Sequence, residues 1–158
     1  MGVLSSSKLS DDWKVITENK CECNIGKYFE HLSEPVQTKD KSQAMYSKSK
    51  RRFGCQGQTK VNLNSFAPTM RAEHHGNIEF RRFADNDEGL PERRLTVREA
   101  GLIQTFPPDF IFTVKGTMTS YKYIGNAVPP LLAYLIARKV KSVLTHTQIQ
   151  DDYLPPIL

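Results

Sequence analysis

The sequence predicts an α+β chain, in which a small, twisted, mainly antiparallel β region is followed by two helices. Three patterns carry that prediction. Residues 69–72 and 77–83 read as strands joined by the turn at His74-His75-Gly76. Thr96-Val97-Arg98-Glu99 is a capping box, in which the Thr hydroxyl takes the amide of the third helical residue while Glu reaches back to the cap amide. Pro129-Pro130 suits a first helical turn, where a missing amide hydrogen costs nothing. Leu131, Leu132, Leu135, Ile136, Val140, Val143 and Leu144 then form one apolar stripe.

The elements follow in order. Residues 1–10 are small and polar and predict a frayed lead-in. Trp13, Val15, Ile25, Tyr28, Phe29 and Leu32 make a weak apolar pattern. Residues 25–32 are expected to form a short helix ending near Glu34-Pro35, because the residue before Pro avoids the helical region. Residues 38–57 predict a basic, hydrophilic loop that buries little. Val61, Leu63 and Phe66 then alternate with polar residues until Pro68 interrupts, and residues 85–89 form a polar turn. The capping-box helix is expected to carry Ala100, Leu102, Ile103 and Phe106 and to stop at Pro107-Pro108. Residues 110–114 are apolar and β-branched enough for a strand. On the last helix, Arg138, Lys139 and Lys141 lie toward the C-terminal end, where the helix dipole favours cations.

Composition narrows the function. With 39% hydrophobic and 25% charged residues, the chain has the makeup of a soluble protein with a modest core. No stretch approaches the length of a membrane span and no signal peptide opens the chain. Three cysteines, Cys21, Cys23 and Cys55, are an odd number, so a reduced, cytoplasmic protein is expected. Cys21 and Cys23 are too closely spaced, and too few, for a four-ligand zinc site with His31 or the His74-His75 pair, so no metal is expected. The net charge of +5 is local: between Lys39 and Arg82, ten Lys and Arg face only Asp40, Glu73 and Glu79. Such a block suits a polyanion, since cations that neutralise phosphates release condensed counterions; it equally suits a solvated, flexible loop.

Two segments go beyond periodicity. Arg93-Arg94-Leu95-Thr96-Val97-Arg98-Glu99-Ala100-Gly101-Leu102-Ile103-Gln104-Thr105-Phe106-Pro107 and Tyr121-Lys122-Tyr123-Ile124-Gly125-Asn126-Ala127-Val128-Pro129-Pro130-Leu131-Leu132-Ala133 resemble, in order and spacing, motifs IX and X of the cytosine-C5 DNA methyltransferases. Ala67-Pro68-Thr69-Met70-Arg71-Ala72-Glu73-His74-His75-Gly76-Asn77 is similar to the end of that family's target-recognition region. The resemblance covers roughly residues 53–144. Many members carry Arg at the position of Leu102. The catalytic portion has no counterpart: the sequence holds no Pro-Cys-Gln nucleophile motif, no Glu-Asn-Val motif and no Gly-rich loop for S-adenosylmethionine. Cys55-Gln56-Gly57 is similar to the family's Pro-Cys-Gln-Gly, but Gly54 stands where Pro belongs, and the segment lies too late in the chain.

The resemblance implies an organisation. Residues 1–52 would be an N-terminal segment and basic loop of the recognition region, 53–92 its C-terminal half, 93–116 the motif IX helix and strand, 117–146 the motif X turn and helix, and 147–158 a tail. The C-terminal helices would dock on a Rossmann-like catalytic domain not present in this chain. Gly125, Asn126, Ala127 and Val128 would form the turn that closes over S-adenosylmethionine. Gly125 permits an unusual backbone angle, Asn126 faces the cofactor or fixes the turn, and Ala127 keeps the approach close. Thr69 would contact the phosphate beside a flipped-out cytosine, Arg71 a guanine or a phosphate, and His74, His75 and Gly76 lie on the same turn. Thr96 and Glu99 have structural work as the cap, and Arg98 would bridge their helix to the recognition region. Gln104, Thr105 and Phe106 are expected to pack.

Beginning at Met with a polar lead-in, the chain is expected to be a translation product in its own right, the non-catalytic subunit of a split DNA (cytosine-5-)-methyltransferase that is inactive alone. Its partners would be double-stranded DNA and a catalytic subunit, or the missing N-terminal part of the same enzyme. A stand-alone DNA-binding module is the alternative, against which the intact cofactor turn argues.

Overall fold

A computed structural model describes residues 25–50, 61–67, 69–70, 80–81, 93–113 and 116–146. The order of elements is a 3-10 turn (Ile25–Tyr28), α1 (Lys41–Ala44), β1 (Phe80–Arg81), β2 (Arg93–Arg94), α2 (Val97–Ile103), α3 (Thr117–Asn126) and α4 (Pro130–Thr145). β1 and β2 pair antiparallel, with Phe80 opposite Arg94 and Arg81 opposite Arg93. Tyr46 makes an isolated antiparallel bridge to Thr96. Among the described residues the fold is thus mixed, mainly helical, with little strand. No described helix is long and apolar enough to cross a membrane.

The core forms around α2. Leu95, Val97, Ala100 and Leu102 pack with Ile25, Phe29, Val61 and Met70 from the N-terminal half and with Tyr121 and Ile124 from α3. Every α2 residue from Val97 to Leu102 is buried, so this short helix is a central pin rather than an amphipathic surface element. Gly101 lets the Phe112 ring seat directly on α2: a Cβ there would meet Phe112 Cζ at 2.5 Å and the ring would have to move.

Several expectations change at this level. Residues 25–28 form a 3-10 helix followed by a turn at residues 29–31, not an α-helix, and the Gly26 amide donates to Leu63 O. The hydrophilic stretch after Thr38 contains α1 and buries two polar residues, Ser42 and Gln43. Asp40 caps α1 by accepting from the Ser42 amide and hydroxyl at 2.8 and 2.7 Å. Gln43 Nε2 donates to Ser33 O at 2.9 Å.

Residues 110–113 form no strand. No described strand lies alongside, and the Phe110 carbonyl instead accepts from Arg98 Nη1 at 2.8 Å. Phe106, Phe110 and Phe112 gather into one edge-on cluster with centroids 4.8 to 5.6 Å apart.

The stop signal of α2 also differs. The helix ends at Ile103, ahead of Pro107-Pro108, through a left-handed Thr105 at φ 65°. The Thr105 amide donates to Leu102 O and the Phe106 amide to Gly101 O, both at 2.9 Å, which is a Schellman closure with a β-branched residue where Gly is usual. Thr69 and Met70 lie in irregular backbone. Of the strand expected over 77–83, the pair Phe80–Arg81 is present. The other residues of the 69–83 hairpin and the turn at 85–89 lie outside the described residues.

Candidate functional site

The two segments singled out by sequence meet at the C-terminal end of α2. Its entry is fixed by polar groups. The Glu99 amide donates to Thr96 Oγ1 at 3.0 Å, and the Thr96 amide donates to Glu99 Oε2 at 2.9 Å, closing the capping box. The Thr96 hydroxyl also donates to Gln43 Oε1 at 2.6 Å. Glu99 is fully buried and receives both Nη atoms of Arg93, at 2.8 and 2.9 Å. The same guanidinium reaches Glu34 at 3.2 Å. Burial alone lowers the Arg93 pKa, but the hydrogen bonds and charge of Glu99, then of Glu34, more than offset this and hold the net shift upward. Arg98 Nε donates to Asp40 Oδ2 at 2.9 Å, tying α2 to the α1 cap.

The Asp40 carboxyl carries a pH signature. Burial pushes it up, yet hydrogen bonds from Arg98 and Ser42 pull it, on balance, below the ordinary carboxylate range. A carboxyl depressed in the folded state adds stability above its unfolded pKa and loses it as pH falls through the folded one. Asp40→Asn keeps an effective cap and removes the charge. It is expected to cost about 0.2–1 kcal/mol at neutral pH, given the partial exposure of the pair, and nothing in strong acid. Thermal melts of both proteins across that range check this; equal melting at neutral pH overturns it.

The exit of α2 grips the second segment. Gln104 Nε2 donates to Ala127 O at 2.9 Å, and the Leu131 amide donates to Thr105 Oγ1 at 3.1 Å. The left-handed Thr105 therefore turns its hydroxyl onto an unsatisfied N-terminal amide of α4. Sequence reasoning assigned Gln104 and Thr105 only to packing. Their polar side chains, next to a helix end that must meet a neighbouring turn, are the signal that was available.

Gly125 and Asn126 are the last residues of α3, so Gly125 has helical backbone instead of an unusual angle. The turn proper begins at Ala127, whose amide donates to Ile124 O. Asn126 just before it and Val128 within it are both exposed. Tyr121 locks α3 from below: its hydroxyl donates to Leu95 O at 2.6 Å and accepts from the Ser47 amide at 3.1 Å. Burial pushes that phenol well up.

An open cavity of about 410 Å³ lies between this clamp and the Thr69 segment, lined among others by Phe66, Thr69, Gln104, Thr105 and Pro129. The structure thus brings exposed Thr69 and the entry of α4 to one concavity. Arg71, His74, His75 and Gly76 lie outside the described residues, as do Cys21, Cys23 and Cys55. Among the described residues no group of His, Cys, Asp or Glu is arranged to hold a metal ion.

Helix α4 leaves this site with none of its residues buried. Leu132, Leu135, Ile136, Val140, Val143 and Leu144 are all exposed, as is Val128 before it. Val128, Ala133, Ile136, Ala137, Val140 and Leu144 line a trough along one side. No described helix or strand packs against α4. Arg138, Lys139 and Lys141 precede its last turn, which carries no cation.

Comparison with known proteins gives the site a context. A profile of the family described as C-5 cytosine-specific DNA methylase matches residues 5–142. The chain is similar to the type II methyltransferase M.NgoPII of Neisseria gonorrhoeae, with 48% identity over 82 residues, 52% of this chain and 23% of that protein. It is similar to the type II methyltransferase M.MthTI of Methanothermobacter thermautotrophicus, with 48% identity over 60 residues, 38% of this chain and 18% of that one. It also resembles the type II methyltransferase M.AquIB of Picosynechococcus sp., with 46% identity over 63 residues, 34% of this chain and 45% of that one. The chain covers less than a quarter of each of the first two relatives and less than half of the third.

Proposed function

The chain belongs to the C-5 cytosine-specific DNA methylase family, and we propose that it is the part of a DNA (cytosine-5-)-methyltransferase that recognises DNA and completes the cofactor pocket. The nucleophilic Cys lies on a partner subunit or on a segment of the enzyme outside this chain. The observation that carries this reading is α4, a helix of 16 residues with an apolar face and no buried residue. Such a face marks a surface that another protein covers, and a Rossmann-like catalytic domain covers it in this reading.

S-adenosylmethionine, when bound, supplies an electrophilic methyl group. The residues here fit one wall of its pocket and not the whole of it. Asn126 offers an exposed amide, Val128 an exposed apolar surface, and the turn between them is pinned through Ala127 O by Gln104. Gly125 and Ala127 keep that wall low. On the DNA side, Thr69 holds a phosphate, and Arg71, His74, His75 and Gly76 contact the duplex while the target cytosine is out of the stack. The protein acts in the cytoplasm on the nucleoid.

The test is reconstitution with a catalytic polypeptide bearing the Pro-Cys-Gln motif, read as transfer of labelled methyl from S-adenosylmethionine to duplex DNA. Neither chain alone is expected to transfer, and the pair is. Methyl transfer by this chain alone overturns the reading. An inert pair, beside tight and sequence-specific duplex binding by this chain alone, makes it a stand-alone binding module instead.

A further inference from the structure

The segment Tyr46–Lys50 combines two properties that surface loops rarely share: it is basic, and its backbone is bolted to the core. Tyr46 bridges to Thr96 in the capping box, the Ser47 amide donates to the buried Tyr121 hydroxyl, and Arg94 Nε donates to Ser49 O at 3.3 Å. Side chains two apart share a side, as in an extended strand. Lys48 Nζ sits 3.5 Å from the Tyr46 ring centroid, while Ser47 Oγ and Ser49 Oγ are 3.0 Å apart. Lys50 follows two residues after Lys48. Lys48 and Lys50 are exposed, and among the described residues neither has a carboxylate partner. A solvated charge run needs no such anchoring. A cation held over a ring on anchored backbone, with a second cation two residues on, suits a partner whose anions are themselves fixed and regularly spaced.

We propose that Lys48 and Lys50 form a rigid ridge that takes the phosphate backbone of duplex DNA, additional to the contacts of the Thr69 segment. This rests on the DNA-recognition reading above and adds a second anchor to it. The Tyr46 ring holds the Lys48 ammonium in place before DNA arrives, which reduces the ordering cost of the contact. The ridge positions the duplex and carries no sequence information, since phosphates are the same at every base pair.

Binding of a fluorescein-labelled duplex of arbitrary sequence to the full chain, measured by anisotropy across a salt series, tests the ridge. Lys48→Gln with Lys50→Gln is expected to weaken binding on the order of tenfold and to lower the slope of log K against log salt by about 1.8, the value for two lost phosphate contacts. Lys139→Gln with Lys141→Gln removes the same charge from α4 and is expected to change the slope far less. All four lysines are exposed, so unchanged melting temperatures verify folding. If the unaltered chain and the Lys48/Lys50 variant bind alike, or if the α4 control loses as much, the ridge is wrong and DNA recognition stands. If the unaltered chain ignores duplex altogether, both readings fall.

Discussion

Glu99→Gln is expected to destabilise the chain by about 3 kcal/mol, which is a large share of the roughly 5–15 kcal/mol that holds a typical domain together. Gln at this position still serves a capping box, so the helix entry is kept and the charge alone is lost. What remains is Arg93, 7% exposed, with its bidentate carboxylate gone. Breaking a buried pair from one side leaves an uncompensated charge in a poorly solvated place. Glu34 softens the loss, because it holds the same guanidinium at 3.2 Å. Glu34→Gln itself is expected to cost less, about 1 kcal/mol, since its contacts are longer and its side chain is part-exposed. Urea unfolding of both single variants and the double variant measures the terms and their coupling. A Glu99→Gln protein that unfolds at the wild-type midpoint contradicts this account of the core.

This ion cluster marks the limit of what the sequence discloses. The capping box was legible because all its partners lie within four residues, and Pro129-Pro130 announced α4 for the same reason. Arg93 was not, because its bonds to Glu99 and Glu34 depend on a chain reversal that no local pattern encodes. Gln43 meets Thr96 across 53 residues and Tyr121 meets Ser47 across 74, so composition marked the first as loop and the second stood in its motif without a role. Residues 110–113 misled in the opposite sense: their apolar, β-branched composition suited a strand, but Arg98 took the carbonyl and the aromatic cluster took the rings. At the site, Asn126 and Val128 were visible through their motif, whereas the Gln104–Thr105 clamp that aims them required knowing that α2 ends beside the turn.

The same clamp makes the last helix the most consequential surface of the molecule. Thr105 and Gln104 fix where α4 starts, and everything beyond is carried on a rod of 16 residues whose apolar side meets water. Ile136 is 54% and Val140 52% exposed, one helical turn apart on the trough. Replacing both with Asp removes little burial from this chain, so its melting temperature is expected to stay within a degree or two, as for other exposed positions. Against a catalytic partner the effect is different in kind. Two carboxylates would be forced into a mainly apolar contact, with Lys141 at the edge of the trough the one cation lining it, at several kcal/mol in total. At about 1.4 kcal/mol per factor of ten, methyl transfer by the reconstituted pair is expected to fall by at least about 100-fold at limiting concentrations, with co-elution lost in parallel. Excess partner should restore part of the activity, because the Asn126–Val128 wall is untouched by the change. A pair that assembles and methylates normally with Asp at both positions means that this face of α4 is not what joins the two halves.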